Sequence, residues 1–388
     1  MSGNRVRYGM VGGGPGAFIG AVHRMAANLD GEFELVAGAF SSDPAKSVAQ
    51  GDDLGLDPSR VYGSFQLMAE GEAALSVDQR IQVVSIVTPN HLHHAAARAF
   101  LEAGIDVICD KPLTNTVDEA EDLCRLAAEK GRLFCVTHNY TGYPMVKEAR
   151  ARVAAGALGT IRKVVVEYSQ GWLATLLEAE GQKQATWRTD PAKAGVSSAL
   201  GDIGSHAHNL AEYVTGLRVE QVFGDLGTVV EGRALEDDAT LLLRFTGGVR
   251  GLLMASQIAF GERNHLRLRV YGSDGALDWA QDAPERLRLI RGDGSEEILF
   301  RGGDLSSVAA AHTRIPGGHP EGFIEAFANI YRNVGRAIQA RAIMSNAPAT
   351  DLDFPTVQDG ARGVHFIHAA VDSAKVGRWV DAKYTPPA

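Results

Sequence analysis

Short apolar segments alternate with amphipathic segments through the first third of the chain. Residues 5–11 and 83–87 are strand-like apolar runs, and residues 17–29 repeat apolar side chains at helical spacing. A strand, a helix and a further strand at this spacing predict right-handed crossovers and a parallel sheet. The same pattern predicts strands at 33–40, 106–109 and 133–137, and helices at 44–54, 91–103 and 118–130.

The pattern changes after His138, where most strands follow one another without intervening helices. Turn sequences at residues 246–248 and 273–275 separate several of them, which predicts an antiparallel meander. We therefore expect an α/β Rossmann-type domain with a parallel sheet at residues 1–140. An α+β domain with a large, mostly antiparallel open sheet is expected at residues 141–388. Its predicted strands are 161–168, 219–230, 239–245, 249–257, 266–271, 276–279 and 287–291, and its predicted helices are 144–155, 203–215, 323–341 and 356–376.

The charge balance and the cysteine content restrict the possible partners and the compartment. The chain has 388 residues, with 38 Lys and Arg against 47 Asp and Glu, hence a formal net charge of −9. An acidic chain disfavours a nucleic-acid partner. Neither an apolar run of the roughly 18 residues that span a membrane nor a signal-peptide pattern is present in the sequence. Three cysteines without a CxxC pair predict a protein of the reducing cytoplasm.

A glycine-rich turn joins the first predicted strand to the first predicted helix. Gly12, Gly14 and Ala17 match the pattern G-x-G-x-x-A. Glycine at these places permits a tight turn and a close approach of backbone to a pyrophosphate, which the helix N-terminus attracts. Because a strand precedes the turn and a helix follows it, the sequence predicts a dinucleotide site, which also includes Pro15, Gly16 and Phe18.

The end of the second predicted strand leaves the choice between NAD and NADP open. An acidic residue there would bind the ribose hydroxyls of NAD, but the position holds Ser41. Asp43 lies further along and is expected to cap the next helix, with Pro44 at its first position. Ser41 and Ser42, together with Lys46, are therefore candidates to contact a 2′-phosphate.

Two further loops follow predicted parallel strands, where such sheets carry their chemistry. Lys111 in the second loop is expected beside the nicotinamide, where its ammonium group can polarise a hydroxyl or carbonyl oxygen. A surface lysine in a turn is the alternative interpretation. The candidates are Thr88, Pro89, Asn90 and His93 in the first loop, and Asp110 and Lys111 in the second.

A helix of the second domain is predicted to begin with a carboxylate and an imidazole on one face. Asp202 and His206 are four residues apart, so the carboxylate can orient the imidazole, which is suited to proton transfer near neutral pH. An N-cap role for Asp202 beside a half-buried His206 is the alternative. A metal site with His208 is disfavoured because that side chain leaves the helix in another direction. The histidine cluster at residues 91–94 is interpreted as a helix start, and no metal is expected.

Substrate contacts are expected mainly from the polar segment 169–200. Trp172 and Trp187 precede the helix that carries His206, and an indole ring can stack on the face of a pyranose. Core or subunit contacts are the alternative for both rings. The further candidates are Arg188 in this segment, Asn139 and Tyr140 after the strand at 133–137, and His319 in a glycine-rich loop.

These motifs together resemble the Gfo/Idh/MocA family. The matching pieces are Gly12-x-Gly14-x-x-Ala17, Thr88-Pro89-Asn90-x-x-His93, Lys111-Pro112 and Gly201-Asp202-x-x-x-His206. The resemblance implies an NAD(P)-dependent dehydrogenase of sugars, cyclitols or their glycosides, with NAD slightly favoured. It also implies a homodimer or homotetramer formed through the open face of the second sheet, and a catalytic group at Lys111, Asp202 and His206.

Two positions depart from the family pattern. Asp110 stands where the family usually has glutamate, which keeps the charge and shortens the side chain by one methylene. Ser41 stands in place of the acid after the second strand, so the departure concerns which cofactor is bound and not its presence.

The hypothesis that follows is the oxidation of a secondary hydroxyl. His206 would accept the hydroxyl proton while hydride leaves the same carbon for C4 of the nicotinamide. Lys111 would stabilise the developing alkoxide, and Asp202 would orient His206. Two alternatives keep the fold: an oxidoreductive glycoside hydrolase that uses NAD transiently, and a non-catalytic dinucleotide-binding sensor.

Overall fold

A five-stranded parallel sheet forms the N-terminal part of the computed structural model, which describes residues 5–388. Its strands are β1 (Val6–Gly12), β2 (Phe33–Ala39), β3 (Val83–Val87), β4 (Asp106–Cys109) and β5 (Phe134–Val136). The order β2-β1-β3-β4-β5 means that the winding direction reverses between β1 and β3. All residues of β3 are buried, as expected for a central strand that is covered on both faces. This sheet confirms the predicted Rossmann-type fold.

Helices on both faces cover this sheet. They are α1 (Phe18–Leu29), α2 (Pro44–Asp53), α3 (Phe65–Ala74), α4 (His93–Glu102) and α5 (Val117–Lys130). The Asp43 side chain accepts a hydrogen bond from the Ala45 amide at 3.0 Å, and Pro44 is the first residue of α2, which confirms the predicted cap. Helix α3 is absent from the sequence prediction, because its buried Met68, Ala69 and Glu72 do not form an apolar stripe.

A nine-stranded sheet forms the second part of the fold. Its strands are β6 (Ile161–Ser169), β7 (Val219–Gly227), β8 (Asp238–Phe245), β9 (Arg250–Ser256), β10 (His265–Gly272), β11 (Gly275–Ala280), β12 (Arg286–Arg291), β13 (Glu296–Phe300) and β14 (Val380–Asp381). The order is β13-β12-β11-β10-β6-β9-β8-β7-β14. Neighbouring strands are antiparallel except β6 and β9, which pair in parallel. The sheet confirms the predicted α+β second domain, and β13 and β14 extend it beyond the predicted strands.

The helices of the second part serve both sheets. They are α6 (Pro144–Ala154), α7 (Lys183–Arg188), α8 (Pro191–Ala194), α9 (Ser205–Thr215), α10 (Ser307–Ala311), α11 (Phe323–Ala342) and α12 (Val357–Val376). Helices α6 and α9 pack on the nine-stranded sheet, where Leu210 and Trp279 share one core. Helix α11 returns to the first sheet, because Tyr331 and Val334 pack in the same core as Tyr8. The domain boundary at residue 140 stays a prediction.

Candidate active site

The glycine-rich turn between β1 and α1 brings backbone too close to its neighbours to admit side chains. A Cβ on Gly12 would lie 2.9 Å from the Val87 carbonyl oxygen, and one on Gly14 would lie 2.7 Å from the Phe40 carbonyl oxygen. Gly16 has a φ of 73°, which also favours glycine. Within residues 5–388, no side chain caps the start of α1 and no acidic residue occupies its first turn. Because the first amide groups of an α-helix have no partner within the helix, the start of α1 can bind an anion, and the turn fits the pyrophosphate of a dinucleotide.

The end of β2 carries hydroxyls in place of an acid. The Ser41 hydroxyl accepts a hydrogen bond from the Asp43 amide at 3.1 Å, and Ser42 is exposed. Lys46 Nζ lies 3.7 Å from the Asp43 carboxylate at the surface. Because Asp43 is engaged as the cap of α2, it does not replace the missing acid.

His93 connects the two loops that follow β3 and β4. Its Nδ1 lies 2.9 Å from the Pro112 carbonyl oxygen, and its Nε2 lies 2.9 Å from the Thr88 carbonyl oxygen. The ring is fully buried, and burial lowers its pKa. A neutral imidazole has one N–H, so His93 donates to one of these two carbonyl oxygens while its ring packs between the two loops. Asn90 is buried beside it, and Thr88 Oγ1 is a buried atom without a hydrogen-bond partner in the described part of the chain.

Lys111, in the loop after β4, forms an ion pair with Asp202, which precedes α9. Lys111 Nζ donates to Asp202 Oδ1 at 2.7 Å and to the Asp202 carbonyl oxygen at 2.6 Å. Asp110 Oδ1 accepts from the Lys111 amide at 2.9 Å and from the Thr137 hydroxyl at 3.0 Å. Asp110 therefore fixes the backbone from which Lys111 extends.

The Asp202 carboxylate has two further partners on its other oxygen. Gln257 Nε2 donates to Oδ2 at 2.9 Å, and Arg188 Nε lies 3.2 Å from Oδ2 as an ion pair without hydrogen-bond geometry. Burial alone would raise the pKa of this carboxyl, but the charges of Arg188 and Lys111 outweigh it and hold the pKa well below its usual range. Asp202 is therefore ionised and shared by two cations.

The helix start differs from the predicted one and changes the role of Asp202. One turn of π-helix, Leu200–Gly204, precedes α9, so residues four apart no longer lie directly above each other as in an α-helix. Among the described residues, the Asp202 side chain hydrogen-bonds to Lys111 and Gln257 and not to His206. The carboxylate orients Lys111, which corrects the expected contact with His206.

His206 is held among aromatic rings. Its ring centroid lies 4.8 Å from that of Tyr140 and 5.4 Å from that of His138, both in edge-to-face contact. Burial, then the charge of Lys111 and the neighbouring His138, lower the pKa of His206 well below its ordinary value. Its Nδ1 is buried and has no hydrogen-bond partner within residues 5–388. A neutral imidazole in this position can accept a proton.

Lys111, Asp202 and His206 line a cavity of about 500 Å³, a size typical of small-molecule sites. The predicted residues that line it are Phe18, Asp110, Lys111, Asn139, Tyr140, Trp172, Arg188, Asp202 and His206. Two substrate candidates are not among its lining residues. They are Trp187 and His319. The Arg188 guanidinium covers the Trp187 ring, at 4.2 Å from the ring centroid. His319 is exposed, and its backbone carbonyl oxygen accepts a hydrogen bond from Arg301.

Five side chains form what we call the polar wall of the cavity: Trp172, Gln170, Asn264, Tyr168 and Tyr140. Trp172 Nε1 donates to Gln170 Oε1 at 2.9 Å, and Gln170 Nε2 donates to Asn264 Oδ1 at 2.7 Å. The Tyr168 hydroxyl lies 2.6 Å from Asn264 Oδ1, and Asn264 Nδ2 lies 3.2 Å from the Tyr140 hydroxyl. The two tyrosine hydroxyls are hydrogen-bonded to each other, which closes a ring of three groups.

Three side chains of the polar wall, Gln170, Asn264 and Tyr168, and the neighbouring Gln257 are absent from the predicted site residues. Gln170 and Gln257 follow the paired ends of β6 and β9, and Asn264 precedes β10 on the other side of β6. The signal in the sequence is a polar residue directly beyond each strand. This signal predicts a site only when the strand order is known, because only the parallel pairing of β6 with β9 brings Gln170 and Gln257 together.

The segment at residues 171–195 reaches from the second sheet to the first domain. Lys183 Nζ donates to the Pro15 carbonyl oxygen at 3.5 Å, and Asn115 Nδ2 donates to the Lys193 carbonyl oxygen at 3.2 Å. Helix α7 in this segment carries Gln184 and Arg188, which line the cavity. The segment therefore covers the cavity next to the glycine-rich turn.

The alternative metal site at His208 has no support in the geometry. His208 stacks on Phe366 and lies 3.4 Å from Glu212. Residues 5–388 contain no group of three or more His, Cys, Asp or Glu side chains placed to hold a metal ion. Over the same residues, no helix combines the length and the apolar character needed to cross a bilayer.

Comparisons with known proteins cover almost the whole chain. A model described as an oxidoreductase family with an NAD-binding Rossmann fold, GFO_IDH_MocA, matches residues 6–138, and the GFO/IDH/MocA C-terminal domain matches residues 146–278. The crystal structure of an oxidoreductase from Sinorhizobium meliloti is 46% identical, covers 97% of this chain and 100% of that chain, and has a TM-score of 0.87.

Two further relatives have names that refer to a substrate. An inositol dehydrogenase homolog from Azotobacter vinelandii, complexed with NADH and myo-inositol, is 37% identical, covers 97% of this chain and 98% of that chain, and has a TM-score of 0.90. Levoglucosan dehydrogenase from Pseudarthrobacter phenanthrenivorans is 28% identical over 97% of this chain and 98% of its own length.

Proposed function

Since the chain belongs to the GFO/IDH/MocA family of oxidoreductases, with an NAD-binding Rossmann domain, we propose that it oxidises a secondary hydroxyl of a sugar or cyclitol, with NAD or NADP as hydride acceptor. The observation that carries the proposal is the meeting of Lys111 and His206 in one cavity, which Phe18 at the start of α1 also lines. A proton acceptor, a cation and the glycine-rich turn then lie within reach of one small molecule.

His206, Lys111 and Asp202 have separate roles in the proposed reaction. A bound nicotinamide would supply the hydride acceptor. His206, neutral in its buried position, accepts the hydroxyl proton as hydride leaves the same carbon. Lys111, oriented by Asp202, donates a hydrogen bond to the same oxygen and stabilises the negative charge that develops there. Arg188 shares Asp202 and belongs to the segment at residues 171–195 that covers the site, which would limit the access of water.

The charges and the polar wall favour a neutral, polyhydroxylated substrate. The cations Lys111 and Arg188 are matched by the carboxylates of Asp110 and Asp202, so no net charge is left for an acidic group. Amides and hydroxyls supply hydrogen bonds, and Trp172 adds an aromatic ring of the kind that packs against sugar rings. The substrate names of the two relatives point to the same class of molecule.

The proposal is tested by mixing the purified protein with NAD or NADP and a panel of inositols, free aldoses and glycosides. Reduced-cofactor absorbance and sugar products are followed together. Reduced cofactor with one polyol class supports the dehydrogenase and selects the cofactor. Glycoside cleavage without net reduction would support the oxidoreductive hydrolase instead, and tight NADH binding without turnover of any compound would support a sensor. The molar mass from light scattering during gel filtration tests the proposed homodimer or homotetramer.

A further inference from the structure

Two groups at the ends of the hydrogen-bond network of the polar wall can act in only one way, one as a donor and the other as an acceptor. The indole N–H of Trp172 can only donate, so the Gln170 atom that faces it at 2.9 Å is the amide oxygen. The Asp202 carboxylate can only accept, so Gln257 presents its NH₂ group to it at 2.9 Å. The same NH₂ group lies 3.3 Å from Gln170 Oε1. Both ends of the network therefore require the same orientation of Gln170.

This order extends to the tyrosines. With its oxygen toward Trp172, Gln170 turns its NH₂ group to Asn264, which must present Oδ1 to it at 2.7 Å. The Tyr168 hydroxyl, 2.6 Å from the same Oδ1, must donate to it. Asn264 Nδ2 then donates to the Tyr140 oxygen at 3.2 Å, and Tyr140 donates its one hydrogen to Tyr168. Each tyrosine hydroxyl has used its only hydrogen and keeps one free lone pair.

We propose that Tyr140 and Tyr168 act toward the substrate as hydrogen-bond acceptors only, and so select a second free hydroxyl beside the one that is oxidised. The inference rests on the proposed function. Both tyrosines line the cavity, and the Tyr140 ring packs against His206, so this part of the wall lies beside the proton acceptor. An ether oxygen, a carbonyl oxygen or a fluorine at that position has no hydrogen to donate. The wall therefore fits a vicinal diol with both hydroxyls free.

Deoxyfluoro analogues of an accepted polyol test the inference, because fluorine has nearly the size of a hydroxyl but cannot donate. At one ring position next to the oxidised carbon, we expect fluorine to lower kcat/KM by about 10- to 100-fold in the wild type. Equal kcat/KM for the parent and every fluoro analogue would overturn the inference and leave the dehydrogenase standing. Absence of turnover with any unmodified polyol would overturn the proposed function, and this inference with it.

Two variants that each remove one hydroxyl separate this effect from the electron withdrawal of fluorine, which is the same in every variant. In Tyr168→Phe, the Tyr140 hydrogen loses its acceptor and can turn to the substrate, so the fluorine penalty should shrink by about tenfold. In Tyr140→Phe, Tyr168 still donates to Asn264 and remains an acceptor, so the penalty should persist. The same penalty in both variants, or a loss confined to Tyr140→Phe, would overturn the proposed order.

Discussion

Replacing Asp202 by asparagine removes the charge on which the geometry of the site depends. Asp202→Asn keeps the size of the side chain but leaves Lys111 and Arg188 without their shared counter-ion. Removing one partner of a buried ion pair costs about 3–5 kcal/mol. The side chain of Lys111 is 12% exposed, that of Arg188 is 22% exposed and that of Asp202 is 15% exposed. Solvent therefore screens these charges in part and reduces the loss of stability. We expect the free energy of unfolding to fall by about 2–4 kcal/mol at neutral pH.

The loss should depend on pH, because the pKa of Asp202 is held well below its usual range in the folded protein. A carboxyl of this kind stabilises the fold above its unfolded pKa of about 3.9, and the contribution is lost as the pH falls through and below that value. The wild type and Asp202→Asn should therefore differ most at neutral pH. Their free energies of unfolding should converge as the solution becomes acidic.

Urea unfolding at several pH values, followed by circular dichroism, measures this difference. Asp353→Asn is the matched control, because Asp353 pairs with the buried Lys147 at 2.7 Å outside the cavity. Both variants should lose stability, but only Asp202→Asn should lower kcat, by about 10- to 100-fold, because Lys111 loses its orientation. A free energy of unfolding for Asp202→Asn within about 0.5 kcal/mol of the wild type at neutral pH would refute the reasoning.

Three further changes test other parts of the site. His206→Asn should lower kcat by about 10²- to 10⁴-fold without weakening NADH binding in a fluorescence titration, and the wild-type kcat should stay level as the pH falls through the ordinary histidine range. Weaker NADH binding, or a kcat that falls in that range, would contradict the assigned role. Ser41→Asp should raise kcat/KM with NAD relative to NADP, and an unchanged ratio would place the ribose elsewhere. Gly14→Ala should weaken NADH binding by at least about tenfold, because its Cβ would lie 2.7 Å from the Phe40 carbonyl oxygen; unchanged binding would exclude this turn as the cofactor site.

Features that depend on neighbouring residues could be predicted from the sequence. The turn with Gly12 and Gly14 needs only the strand before it and the helix after it, and the cap of α2 needs only Asp43 and Pro44. The antiparallel strands could be predicted because short turns join several of them. These local features were sufficient to predict both sheets. Lys111, Asp202 and His206 were expected at one site, and the structure places them around one cavity, while their roles stay a prediction.

Features that depend on distant pairing could not be predicted. Gln170 and Gln257 are 87 residues apart and meet only because β6 pairs with β9 in parallel. The return of α11 to the first sheet joins residues such as His23 and Tyr331, which are separated by 308 positions and contact each other at 2.7 Å. The spacing of Asp202 and His206 predicts a contact between them only for an α-helix, and the chain forms a π turn there.

The π turn at Leu200–Gly204 makes the active-site geometry depend on the number of residues as well as on their identity. Both the carbonyl and the carboxylate of Asp202 bind Lys111 there. Deleting one residue from the turn would restore α-helical spacing and rotate Asp202 by about 100° relative to α9, while His206 kept its place. A related chain with residues equivalent to Lys111, Asp202 and His206 but a turn one residue shorter would then hold its lysine differently. The length of this turn in a related sequence therefore indicates how its lysine is held, which the identity of the neighbouring residues does not indicate.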